Sequence, residues 1–264
     1  MKQMMVMLIL MLLVSSVRAE IFRDDFNDGD LKGWAFVEGD EDGGIQNGEL
    51  VLGSPKADSE AEVTVVVDGI IASDYEVSVS LKIRKLGIGG GATIGLRAHT
   101  DPLLEPFIEQ LAEGEANKKA RALLYQRSYR FSLGNIDTGG SAHIQDIRKG
   151  LGAIIQLMKV VRGKNVWNTF VKGKLHTFRE FDFKLHKWYR LKVIAMGNQF
   201  QFFIDDEEML DFLDDTYTAG KIYLLSGRGS RVHFDNFEAQ YEALSVQPRK
   251  KLTTTWGEVK SNFH

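Results

Sequence analysis

Apolar and polar positions alternate with a period of two along much of the chain. In YEVSVSLKIR (75–84), Tyr75, Val77, Val79, Leu81 and Ile83 take one face, and Glu76, Ser78, Ser80, Lys82 and Arg84 take the other. A period of two predicts a half-buried β-strand. ATIGLRAH (92–99), ALLYQRSYRFSL (122–133) and GAIIQLMKVV (152–161) are further strand candidates. WYRLKVIAMGNQFQFFID alternates through Tyr189, Leu191, Val193 and Ala195, reaches Gly197-Asn198 and resumes at Phe200, Phe202 and Ile204. Two apolar runs around a Gly-Asn pair predict a hairpin. GKIYLLSG and RVHFDNFEAQ supply two last strands, ending near Gln240.

One segment departs from this period. DPLLEPFIEQLAEGEANKKA spaces Leu103, Leu104, Phe107, Ile108, Leu111 and Ala112 at helical intervals, behind Asp101 as N-cap and with Pro102 and Pro106 in the first turns. The spacing predicts an amphipathic helix over about 102–119 that lies as a lid over one end of a sandwich core.

The first 19 residues read as a secretory signal: Lys2, an unbroken apolar run from Met4 to Val14, then small residues to a cleavage point after Ala19. The run is shorter than the roughly 20 apolar residues a bilayer span needs. The expectation is therefore an exported protein, secreted or in the periplasm or cell envelope, with no membrane span. The 26 glycines punctuate alternating runs, while the 4 prolines and the serines form no linker. A single domain over 20–240 is expected, followed by a tail at 241–264 that is basic, threonine-rich and carries one isolated Trp256.

Composition narrows the chemistry. There is no cysteine, so disulfides, thiolate metal sites and a thiol nucleophile are excluded. Removing residues 1–19 takes away Lys2 and Arg18 but no acid, so 33 basic residues become 31 against 36 acidic ones, a net charge of about −5. Nucleic acid is not an expected partner for such a chain. His143, His176, His186 and His233 lack zinc-ligand spacing, no Gly-x-Ser-x-Gly elbow occurs, and GIGGGATIG (87–95) lacks the Lys-Ser/Thr of a phosphate loop.

The two ends of the chain carry a resemblance. FRDDFNDGDLKGWAFVEGD followed by IQNGELVLG resembles the opening strands of concanavalin A-like jelly-roll domains. WYRLKVIAMGNQFQFFIDDEEM, AGKIYLLSG and VHFDNFEA resemble the closing strands of that superfamily, in its laminin-G-like and 3-keto-disaccharide-hydrolase-like branches. The resemblance implies an all-β, concanavalin A-like jelly-roll sandwich of two antiparallel sheets with one short helical insertion. That fold hosts lectins, glycosidases and adhesion domains, so function has to be read from a site.

HTFREFDFKLH (176–186) sets Glu180 and Asp182 on one strand face. The related family 16 glycosidases read E-x-D-x-x-E or E-x-D-x-x-x-E on their active strand, and here neither spacing ends in a second Glu. A retaining pair needs carboxyls roughly 5–5.5 Å apart. A solvated strand face is the simpler account, and the residues do not decide for an enzyme.

Sugars are recognised by flat aromatic faces and planar hydrogen-bonding groups. Arg97 and His99 point to one side of their predicted strand, Tyr125, Arg127 and Tyr129 to one side of theirs, and Trp167 sits in the polar context GKNVWNTF. These six are the expected ligand-binding residues of a concave face, with a glycan or polysaccharide as partner. A secreted glycoside-processing enzyme of the 3-keto-disaccharide-hydrolase type and a laminin-G-like adhesion domain are the alternatives. If the first and last strands pair, as the resemblance implies, Asp24 and Asp25 meet Asp235, an oxygen set that suits Ca2+. Turn chemistry explains the same residues without a metal.

Overall fold

A computed structural model describes residues 19–56, 62–87, 89–99, 127–134, 154–160, 178–181 and 183–243. The predicted signal segment, the helix expected at 102–119 and the tail beyond Ala243 lie outside the described residues. In chain order the strands are β1 (Ala19–Asp24), β2 (Trp34–Glu38), β3 (Gly43–Gln46), β4 (Glu49–Leu52), β5 (Val63–Val67), β6 (Ala72–Lys85), β7 (Gly89–His99), β8 (Arg127–Gly134), β9 (Ile154–Val160), β10 (Phe178–Glu180), β11 (Trp188–Met196), β12 (Gln199–Ile204), β13 (Glu207–Leu213), β14 (Lys221–Arg228) and β15 (Arg231–Ala243). They form an eight-stranded sheet, β13-β12-β11-β6-β15-β4-β3 with β1 also on β15, and a seven-stranded sheet, β10-β9-β8-β7-β14-β5-β2. All pairings are antiparallel. The expected all-β sandwich is the observed one.

The alternation decides which side of each strand enters the core. Tyr75, Val77, Val79, Leu81 and Ile83 of β6 meet Tyr189, Leu191 and Val193 of β11 and Val232, Phe234 and Ala239 of β15 in one buried cluster, with Leu96, Phe131, Leu133 and Leu224 from the other sheet. The Gly197-Asn198 hairpin is present, since Met196 pairs directly with Gln199. A second two-residue turn follows, with positive φ at both Asp205 and Asp206. This is the backbone of a type I′ hairpin, and Asp tolerates it better than most residues. Glu207–Leu213 forms the edge strand β13, whose exposed Glu207, Glu208 and Asp211 hinder pairing with another chain.

A bulge in β7 breaks the alternation. The register slips between Leu96 and His99 against β8, and between Lys221 and Tyr223 against β14. Arg97, at φ 48°, occupies the slip. Two consecutive residues, Leu96 and Arg97, therefore face the core, and Ala98 moves to the outer side. Arg97 is 0% exposed. Its Nε donates to the Ser73 carbonyl at 3.1 Å, Nη1 to Tyr217 O at 2.9 Å, and Nη2 to Ser73 O and Gly197 O at 2.8 and 2.7 Å. The Asp74 carboxylate is 3.7 Å away, and the guanidinium lies over the Phe200 ring at 4.7 Å. One cation thus joins the start of β6, the β11–β12 turn and the segment before β14.

Tyr129 completes this end of the core. Its ring is 4.5 Å from that of Phe200, and its hydroxyl donates to Asp214 Oδ1 at 2.5 Å while accepting the Tyr217 N–H. Burial, then the Asp214 carboxylate, pushes the Tyr129 phenol well above its ordinary value. Removing Arg97 would strand three carbonyls that it now satisfies. Arg97→Ala is expected to cost about 3–5 kcal/mol and Arg97→Lys at least about 2 kcal/mol, because an ammonium cannot reproduce the planar fork. Urea unfolding measures both, and a loss below about 1 kcal/mol for Arg97→Ala would contradict this role.

Candidate functional site

The two outer faces of the sandwich differ. On the seven-stranded sheet, Val37, Val66, Ala98, Tyr223 and Leu225 form a second buried apolar cluster. The Tyr223 ring lies on Gly95, where a Cβ would come within 1.9 Å of it, so only glycine fits there. Ser128 Oγ and Arg130 Nε reach the Tyr223 hydroxyl at 3.0 and 2.8 Å, and Thr93 pairs with Ser132 at 2.7 Å. Tyr223, Ser128 and Thr93 are all buried.

The residues expected to bind sugar on this sheet are distributed differently. Arg97 and Tyr129 are core residues and correct that expectation. The bulge turns Arg97 inward, and in β8 the odd positions Tyr129, Phe131 and Leu133 face the core while Ser128, Arg130 and Ser132 face out. A shift of one residue exchanges the faces of a strand. His99 and Arg127 are cross-strand partners in β7 and β8. Tyr125 and Trp167 lie outside the described residues, as does Asp182; Glu180 belongs to the short β10 at the sheet edge.

The residues expected to hold Ca2+ lie where β1 meets β15. The chain ends do pair, with Asp24 opposite Phe237. The carboxylates are engaged in local structure, however. Asp24 accepts the Phe26 N–H at 2.7 Å and the Trp34 indole N–H at 2.8 Å, fixing Trp34 against Phe22, Phe26 and Phe237. Asp25 accepts the Asn27 N–H, which together with the Asn27 side chain lowers its pKa, and Asp235 accepts the Asn236 N–H at 2.7 Å. The hollow between β1 and β15, about 450 Å³, has Arg23 and Lys32 in its wall beside Asp24, Asp25 and Asp28. Among the described residues no three Asp, Glu or His side chains are grouped to hold a metal. These residues do not fit a Ca2+ site.

The outer face of the eight-stranded sheet is polar and open. Register sets Trp188, Lys82 and His233 in one row across β11, β6 and β15, then Arg190, Ser80 and Asp235, then Lys192, Ser78 and Glu238. The short Ser78 and Ser80 side chains lie between longer ones, so a short trough opens at these two positions of β6, with the flanking backbones about 10 Å apart. Trp188 is 36% exposed and Arg190 is exposed, while Ser80, His233 and Asp235 are half-buried.

One end of the trough is a charged network. Glu49 Oε2 lies 2.5 Å from His233 Nδ1, Glu49 Oε1 accepts from Lys82 Nζ at 3.1 Å, and Lys82 Nζ rests 4.1 Å from the centre of the Trp188 ring. Burial alone would raise the Glu49 pKa, but the hydrogen bonds from His233 and Lys82 outweigh it and the net shift is downward. Burial lowers the His233 pKa against the pull of Glu49, and the Lys82 and Arg231 charges add to the lowering. Near neutral pH the ring is therefore uncharged and donates from Nδ1, because ionised Glu49 can only accept. Asp235 is pushed up by burial and by the Glu49 and Asp25 charges.

These residues lie on the polar faces of three strands that are far apart in sequence. Their signal was the match of those faces, as Trp188, Arg190 and Lys192 alternate with a buried set just as Ser78, Ser80 and Lys82 do.

Both His233 and Glu49 have folded values below their ordinary ones, so each contributes stability that is complete above its unfolded pKa and lost as pH falls through the folded value. The urea midpoint is expected to fall as pH drops below the ordinary histidine value of 6.5, and to fall further below the ordinary glutamate value of 4.5. His233→Gln should flatten the upper window and, by removing the hydrogen bond that lowers the Glu49 pKa, shrink the lower one as well. An unchanged slope between pH 7 and 5 in that variant would refute the assignment.

Among solved structures, the chain is similar to a Bacillus subtilis protein of unknown function with a galectin-like fold, at TM-score 0.55 and 16% identity over 86% of this chain and 99% of that one. It is also similar to the exoplasmic/lumenal domain of VIP36 in its Ca2+/Man-bound form, at TM-score 0.55 and 13% identity over 89% and 93%. The carbohydrate recognition domain of Emp47p gives TM-score 0.53 and 11% identity over 87% and 99%. At these identities the likeness establishes the fold. No curated protein matches in sequence. The 3-keto-alpha-glucoside-1,2-lyase-like domain matches residues 22–240, the span of both sheets from β1 to β15, and the chain belongs to that family.

Proposed function

We propose that the protein is an exported carbohydrate-binding domain that takes a glycan in the trough of the eight-stranded sheet. The observation that carries this reading is the run of side chains across β11, β6 and β15: a partly exposed indole, a guanidinium, a serine hydroxyl and a carboxylate on one open face. A sugar ring offers an apolar C–H face to an aromatic side chain and vicinal hydroxyls to planar donors and acceptors. Trp188 serves the first need, and Arg190, Ser80 and Asp235 serve the second. The secretory character of residues 1–19 and the family membership support the same reading.

The family's description supports a second reading, elimination from a keto sugar. Such a reaction needs a positioned base, and neutral His233, held through Nδ1 by Glu49, would present Nε2 for it. Release of product from a 3-keto-glucoside that vanishes in His233→Gln and persists in Trp188→Phe would favour this over binding alone.

Binding is tested with a polysaccharide panel on affinity gels, followed by titration. Trp188→Ala is expected to weaken the best glycan about five- to tenfold, the worth of roughly 1 kcal/mol of stacking, with the melting temperature within a degree or two because the side chain is on the surface. Full affinity in Trp188→Ala would remove the trough as the site.

A further inference from the structure

We infer that the glycan taken by the trough is anionic, a uronate- or sulfate-bearing polysaccharide; this rests on the reading of the trough as the sugar site. The chain carries a net charge of −3, yet across β11, β6, β15 and β4 this face sets Lys82, Arg84, Arg190, Lys192 and Arg231 against Glu49, Glu76, Asp235 and Glu238. The pairing within that set is uneven. Glu49 is taken by Lys82, and Glu238 by Arg23 at 2.9 Å. Lys192 Nζ lies 3.9 Å from the 70%-exposed carboxylate of Asp206 and 4.5 Å over the Phe203 ring.

The three arginines are the informative members. Arg231 spends its fork on the Gly53 carbonyl and the Gln46 amide oxygen, both neutral acceptors. Arg84 and Arg190 are exposed on the same face. Arg190 lowers the Glu238 pKa only as a distant charge, behind the Arg23 hydrogen bond and charge. A guanidinium fork matches a carboxylate or sulfate with two parallel N–H donations, a fit that a neutral hydroxyl cannot return.

Spacing fixes the size of the ligand. Arg190 stands opposite Ser80, four residues along β6 from Arg84. Four residues of strand are about 13 Å, farther apart than the ends of one monosaccharide. The two arginines would read charges on different units of a chain, with Trp188 and Lys82 between them.

The test titrates the full-length mature protein with polygalacturonate and alginate, and in parallel with the neutral polymers dextran and β-glucan. Expected results are at least tenfold tighter binding of the acidic polymers, an affinity that declines as salt rises, and a loss of about tenfold in each of Arg190→Ala and Arg84→Ala without a change in melting temperature. Arg190→Lys keeps the charge and loses the fork, so it should resemble the alanine variant. If Arg190→Lys binds like the wild type, the attraction is diffuse and the inference is overturned. Trp188-dependent binding of neutral polymers alone would overturn the acidic preference while leaving the trough as the sugar site. Failure of every polymer to bind would remove both.

Discussion

The inward-facing Arg97 is the constraint on which one end of the sandwich depends. A guanidinium with no exposed surface is tolerable only when its donors are satisfied, and here the partners are main-chain carbonyls from three separate segments. Each of those segments is a strand start or a turn, the places where backbone groups lack ladder partners. The same residue that needs acceptors thus satisfies carbonyls that need donors. Phe200 and Tyr129 seal the cluster with aromatic faces. The bulge that turns Arg97 inward is therefore part of how the two sheets are joined.

That bulge also marks the limit of what the sequence could show. The strands of β6, β11, β12, β14 and β15 follow the period of two directly, and the Gly197-Asn198 turn has its expected place. Parity is a different matter. In β7 the extra residue at Arg97 inverts the faces, a local event that periodicity cannot detect. In β8 the alternation of Tyr129, Phe131 and Leu133 with Ser128, Arg130 and Ser132 marks the buried face, but a tyrosine can be a core residue with a bonded hydroxyl or a surface ring, and burial chose the first.

The trough was legible in pieces. Each polar face, on β6, β11 and β15, can be read from its own alternation, but their alignment into rows depends on register between strands more than a hundred residues apart. No local pattern encodes it. The acidic residues at 24, 25 and 235 show the converse case: the chain ends meet as the resemblance implied, while their carboxylates turned out to cap turns and hold the Trp34 indole. Proximity in the fold was readable, and the use of the oxygens was not.

The order of strands in the sheets has a further consequence for how the chain comes to be folded. The last two strands, β14 and β15, sit in the interior of their sheets: β14 bridges β5 and β7, and β15 bridges β6 to β4 and β1. The seven-stranded sheet cannot close around its centre until residues up to Arg228 are free to pair, and the eight-stranded sheet until those up to Ala243 are, so most contacts span a long stretch of chain. Such topologies fold slowly, because distant segments must be brought together before any packing is gained.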